Sequence, residues 1–356
     1  MHFAEGQVPI EYTQYIGRKS IFIAGCAVLL IFLLILSVSL GAANISLKEV
    51  VLTLVGQSIS KRFDIIVWNI RLPQSLSAVV AGAGLAVSGA VMQAILRNPL
   101  GSPFTLGISH AAAFGAAFSV MILGSGAMSS QNVGAVTISN PAMTTLMAFL
   151  FSSLAAGLIV VVSRVRGASP ETMVLMGIAL ASLFTAGTMV LQFFADDVQL
   201  AAMVFWTFGD VSRANWRELG AMTIATGAVA AYFIANSWNY NALDAGDETA
   251  KGLGVKVDRV RVIGMIASSL MTAVLVSFLG VIGFVGLVCP HIVRRLIGAD
   301  HRFLMPATLL VGSIVLLGSD TAARIVLAPH LLPVSVLTAF MGAPVFIYLI
   351  LRGYKR

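Results

Sequence analysis

Long, unbroken apolar runs constrain this chain more than any other feature. They cover 20–41, 74–96, 104–123, 142–163, 172–195, 219–236, 260–281, 283–297, 303–327 and 333–351. Most reach about 20 residues, the length at which a helix crosses the ~30 Å hydrocarbon core of a bilayer. A backbone in hydrocarbon must satisfy its own polar groups, so only helices and closed barrels can span it. Barrel strands alternate apolar and polar residues over about ten positions; these runs do not. The expectation is an all-α polytopic membrane protein with about ten transmembrane helices, forming a single transmembrane domain over residues 1–356. Nine of the runs have ordinary length and one, 283–297, is broken by Gly283, Gly286 and Pro290.

Charge tells the same story. Hydrophobic residues make up 58% of the chain and charged ones only 10%, against about 25% charged in soluble domains. The net charge of +7 comes from basic residues standing singly at the ends of apolar runs. That is the pattern of topology signals and lipid-headgroup contacts. It is not a nucleic-acid stripe, so lipid is expected as a partner and nucleic acid is not. Cys26 and Cys289 lie far apart inside apolar sequence and read as small hydrophobes, with neither metal-ligand spacing nor a disulfide framework. Arg18 and Lys19 precede the first run as they would in a signal peptide. The run is too long for one, and Glu5 and Glu11 lie ahead of it, so it reads as a retained first span.

With the N-terminus inside, one side holds Arg18, Lys19, Arg97, Arg164, Arg166, Lys251, Lys256, Arg259, Arg261, Arg294, Arg295, Arg302, Arg352, Lys355 and Arg356. The other holds Lys48, Lys61, Arg62, Arg71, Arg213, Arg217 and Arg324, roughly half as many. The positive-inside rule then places both termini in the cytoplasm.

The sequence contains no GxxxxGK[ST] phosphate loop, so ATP is not expected to bind this chain by that route. No HExxH or GxSxG motif and no Cys-x-x-Cys pair occurs either. Nothing calls for a cofactor, a metal or an enzyme active site. Ionisable groups inside spans are costly and therefore informative. Asp320 and Arg324 stand four apart in the ninth run and can pair on a helix, as a structural ion pair or with a direct role. His291 reads as a hydrogen-bonded helix-end residue or a switchable group, and His110 as a similar residue or one that faces a substrate path. The second run is dense in small residues from Ala81 to Ala90, which permits close helix packing. The longest internal polar stretch, 237–259, contains Asp244, Asp247, Glu248, Lys251, Gly252 and Gly254. Residues 243–251 read as one short helix, acids first and lysine last, in the order that suits a helix dipole. On its own, a polar stretch of this size reads first as a solvated loop.

Three segments carry a specific resemblance. RLPQSLSAVVAGAGLAVSGAVMQAILRNPLGSPFTLGIS (71–109), GFVGLVCPHIVRRLIGADHRFLMPATLLVGSIVLLGSDTAAR (283–324) and LPVSVLTAFMGAPVFIYLIL (332–351) occur in order. They resemble the iron-siderophore, haem and cobalamin permease family, the membrane subunits of type II ATP-binding-cassette (ABC) importers. The resemblance implies a homodimer around a central pathway, a cytosolic ATPase dimer that binds the ATP, and an external substrate-binding protein. It implies that 243–257 is the coupling region, with Asp244, Asp247, Glu248, Lys251, Gly252 and Gly254. It further implies that Arg62, Arg71 and Arg324 dock the binding protein, and that Thr185, Met189, Gln192 and Phe193 on the fifth span face the pathway. The implied cargo is a metal chelate, an iron(III)-siderophore first, with cobalamin, haem and molybdate or tungstate behind it. The implied location is the inner (cytoplasmic) membrane. An ion-coupled carrier is the competing class, although the spans show no row of acids for an ion relay.

Overall fold

The computed structural model describes residues 10–41, 45–57, 60–128, 136–138, 140–165, 169–326 and 332–351. The basic residues Arg166, Arg352, Lys355 and Arg356 used for topology lie outside them. Each of the ten apolar runs contains a helix. In chain order the helices are α1 (Ile10–Ser39), α2 (Leu47–Leu54), α3 (Lys61–Ile65), α4 (Leu72–Ile95), α5 (Ile108–Met121), α6 (Pro141–Val165), α7 (Pro170–Phe194) and α8 (Asp197–Thr207). There follow α9 (Trp216–Ala235), α10 (Ser237–Asp244), α11 (Asp247–Gly252), α12 (Val257–Leu279), α13 (Val285–Ile297), α14 (His301–Val326) and α15 (Val334–Leu351). One small antiparallel hairpin, β1 (Gly126–Met128) with β2 (Val136–Ile138), is an addition to the all-helical expectation.

By length and composition, 7 helical stretches among the described residues can cross a membrane outright. The helices of the third, the interrupted and the tenth runs are shorter. The third run was expected over 104–123, but α5 begins only at Ile108 and has 14 residues, about 21 Å at 1.5 Å per residue. Gly107, at φ 78, caps it in the left-handed region and packs against the backbone of Gly177 and Ala181 in α7. The interrupted run behaves similarly: α13 has 13 residues and follows Phe284, whose φ is 65. α15 has 18 residues. The second span is longer than its run, because a π turn at Ile66–Arg71 joins α3 to α4 in one stretch of 35 residues. Pro73 follows that turn, and its ring would strike a carbonyl in a regular helix. A widened turn makes room.

α4 is the axis of the bundle, and α9, α12, α13 and α14 all pack on it. Small residues permit this. A methyl group on Gly82 would overlap the Gly312 carbonyl of α14, and one on Gly89 would overlap Gly286 of α13. The helix backbones therefore touch, which is how association is achieved where lipid removes the hydrophobic drive. α5, α6 and α7 form a second group, held by Phe114, Phe118, Phe151 and Phe184. Cys289 is buried and Cys26 partly so, both as free thiols.

α12 and α14 run antiparallel to α4. Arg261 and Ser268 of α12 meet Ile95 and Ser88, and Asp320 of α14 meets Gln74. The bundle thus has two opposite ends. One carries α10, α11, Arg261 and His301, and the other carries Arg71, Gln74, Asp320 and Arg324. Trp68 and Trp216, joined by an indole N–H to carbonyl bond of 2.9 Å, sit near the second end. Trp238 sits at the first. Tryptophan favours such interfacial levels.

Candidate docking and coupling sites

At the arginine end everything converges on the last turn of α1. Its final carbonyls have no partners within the helix and carry the negative end of the helix dipole. Arg71, placed by the π turn, donates from Nη1 to Val38 O at 3.0 Å and Ser39 O at 2.8 Å. Arg324 donates to Ser37 O at 3.2 Å and to Ser37 Oγ, and pairs with Asp320 at 3.0 Å. Gln74 Nε2 donates to the other oxygen of Asp320 at 3.0 Å. The network is buried: Arg71 is 5% exposed, and the side chains of Arg324 and Asp320 are 9% and 4% exposed.

The three arginines expected to dock a binding protein differ in accessibility. Of the three, Arg62 on α3 is exposed. Arg71 is buried, and Arg324 is already shared between a carboxylate and α1. The cause is the end of α1, whose carbonyls occupy these guanidinium groups.

At the opposite end the polar stretch forms two helices instead of the single one expected over 243–251. Gly246 has φ 112, a backbone no helix can continue through, so α10 stops at Asp244 and α11 starts at Asp247. Gly252 closes α11, and Gly254, at φ 81, turns the chain away. Within α11, Lys251 pairs with Glu248 at 2.9 Å on the exposed face.

Both short helices are anchored. Asp244 accepts from His301 Nε2 at 2.9 Å, and the His301 side chain is fully buried. Asn241 accepts from the His301 backbone N–H at 2.7 Å and donates to Asp300 at 3.0 Å. Arg302 closes the cluster, pairing with Asp300 at 2.7 Å and lying over the Trp238 ring. Burial alone would raise the Asp300 carboxyl, but the hydrogen bonds from Arg302 and Asn241 outweigh it and hold the group at about 2. α11 is held by Asp247, which takes two bonds from Arg261 Nη2 at 3.0 and 3.2 Å. Arg261 had been counted only as a topology charge. Its signal was in the sequence, since an arginine at the start of an apolar span needs a partner. Two cavities open beside these helices. One, of about 560 Å³, is lined by Arg97, Glu171, Asp247, Lys251, Asp258 and Arg261. The other, of about 480 Å³, is lined by Gln93, Arg97, Asn98, Asp244 and Arg294.

α7 and α15 contrast with α4. Met189 and Phe193 are 61% and 81% exposed, whereas Thr185 and Gln192 are half-buried. On α15, Phe340 and Ile347 are 75% and 56% exposed. The ring of His291 lies near Phe346 of α15, and its Nε2 meets Pro99 O at 2.8 Å. The His110 ring packs at a tilt against Phe104, with centroids 5.4 Å apart.

Known proteins share this architecture. The profile of the FecCD transport family matches residues 29–352. A protein of Methanocaldococcus jannaschii assigned as an ABC transporter permease is 49% identical over 98% of this chain and 99% of its own length. The hemin transport system permease protein HmuU of Yersinia pestis is 36% identical over 91% of this chain and 93% of its own. A solved structure assigned to a metal-chelate type ABC transporter, in an inward-facing conformation, superposes with a TM-score of 0.80. It is 30% identical and covers 93% of this chain and 99% of that one. Matched along nearly its full length in sequence and in fold, the chain belongs to the FecCD transport family.

Proposed function

We propose that this chain is the membrane permease subunit of an ABC importer that carries a metal chelate across the cytoplasmic membrane. Two copies enclose the pathway. An ATPase pair binds beneath α10 and α11, and a substrate-binding protein docks at the arginine end. One observation carries this reading: a charged, anchored pair of short helices and a buried arginine cluster cap opposite ends of the same rod, α4. Such a rod relays displacement from one end to the other. The uncovered apolar faces of α7 and α15 are the surfaces a second copy would cover, with Thr185, Met189, Gln192 and Phe193 toward the pathway.

In this mechanism the chain performs no chemistry on its cargo. ATPase closure displaces α10 and α11, and the bundle switches between two packings, so that access alternates between the two sides. The positive-inside count puts α10, α11 and both termini on the cytoplasmic side. Docking at the far side begins at exposed Arg62. Carboxylates of the binding protein then compete with the carbonyls of α1 for Arg71 and Arg324, as a charged acceptor is the stronger partner.

The cargo proposed first is an iron(III)-siderophore. The similarity to a hemin permease makes haem the second reading. Binding measurements on the partner protein with ferric siderophores, haem and cobalamin decide between them. Submicromolar affinity for a ferric siderophore alone supports the first; selective haem binding replaces it with the second.

A further inference from the structure

We infer that Arg261 is the positioning residue that transmits movement of α11 to α4. The inference rests on the reading of α10 and α11 as the ATPase-facing segment. It also requires that a specific contact join that segment to the axis of the bundle.

Arg261 is 2% exposed and heads the large side chains that are fully buried. It stands in the first turns of α12 and reaches in two directions. Nε donates to Ile95 O at 2.8 Å, the carbonyl of the last residue of α4 and one of the acceptors a helix leaves unpaired at its end. Nη2 donates to both oxygens of Asp247, the first residue of α11. One planar guanidinium thus joins three helices, and its rigid fork allows no slack between the two bonds. Breaking either would leave a buried charge short of a partner, which is costly. A push on α11 is therefore carried into the end of α4.

The neighbouring geometry agrees. Arg97, two residues beyond Ile95, has φ 47, a conformation that non-glycine residues adopt at a cost. Its guanidinium lies 3.9 Å from the same Asp247 carboxylate. The end of α4 is thus strained and faces the open cavity that α11 borders. α4 in turn contacts α14 along its half toward the arginine cluster, through Gly82–Gly312 and Gln74–Asp320. Displacement at Arg261 is delivered to the arginine cluster at the far end.

The test uses the complete importer in vesicles, measuring cargo uptake and ATP hydrolysis separately, with co-purification of the ATPase as a third readout. Arg261→Lys keeps the charge but reaches one acceptor at a time. It is expected to lower cargo moved per ATP by about tenfold, equivalent to about 1.4 kcal/mol of lost coupling, while the ATPase co-purifies undiminished. Asp247→Asn, which leaves the bond to Ile95, is expected to lower the same ratio by less and serves if Arg261→Lys does not fold. Arg259→Lys, on the exposed side of the same turn, is expected to leave it unchanged. An unaltered ratio in Arg261→Lys overturns the inference, as does a loss of uptake that only parallels loss of the ATPase. If the unmodified importer shows no ATP-driven uptake, the functional reading fails and this inference falls with it.

Discussion

Arg71 and Arg324, far apart in sequence and on different helices, both end on the last turn of α1, Arg71 at Val38 and Ser39 and Arg324 at Ser37. The final carbonyls of a membrane helix need donors where water is scarce, and two guanidinium groups supply them. One pair of side chains thereby seats α1 against α4 and α14. The same pair is proposed to meet the binding protein, so docking and the seating of α1 draw on the same donors.

Arg71→Met should therefore destabilise the permease itself, before any partner is present. Two hydrogen bonds from a charged donor are lost, each of the kind worth about 1.5–3 kcal/mol. Thermal unfolding of the detergent-solubilised protein should show a clearly lowered midpoint, with Arg71→Lys between it and the unmodified chain. An unchanged midpoint in Arg71→Met would remove α1 capping from the account.

Asp320 and Arg324 should behave as a unit. Asp320→Ala leaves the largely buried Arg324 without its carboxylate, a loss that costs about 3–5 kcal/mol. Adding Arg324→Met should recover part of that loss. The check is a double-mutant cycle on unfolding, with strong non-additivity expected. Simple addition of the two single effects would show that the pair is not coupled.

The contact between α4 and its neighbours leaves no room for a side chain. Gly89→Ala places a methyl group in the backbone of α13, and overpacking costs about 1–3 kcal/mol or more when backbone must move. Size-exclusion profiles should show lost monodispersity for Gly89→Ala and none for Gly227→Ala, since Gly227 has open space around it. Equal profiles would contradict the close approach of α4 and α13.

Much of this organisation is legible in sequence, and the exceptions have physical causes. The ten runs can be read because lipid demands an apolar exterior along every span. The small residues of α4 declared its close packing for the same reason. The shortness of α5 could not be read from an apolar run, because a single left-handed glycine, Gly107, decides where the helix begins. The division of α10 from α11 did have a signal in Gly246, which the charge order of the segment obscured. α2 and α8 also had signals: Ser46–Glu49 and Asp196–Gln199 are both capping boxes, a pattern that marks a helix start. The burial of Arg71 had none, since its acceptors lie more than thirty positions away on another helix.

Cysteine reactivity separates the pathway reading from simple lipid exposure. In a background without Cys26 and Cys289, Thr185→Cys and Gln192→Cys should react with a water-soluble maleimide in the assembled importer. Ile21→Cys and Val28→Cys, on the open face of α1, should not. The reverse pattern would move the pathway away from α7.

The most direct measurement is uptake into vesicles containing this polypeptide with and without its proposed partners. The account predicts no accumulation by the permease alone under any ion gradient. It predicts ATP-dependent accumulation once the ATPase pair and the loaded binding protein are present. Cargo concentrated by the chain alone, driven by a gradient and without nucleotide, would contradict it.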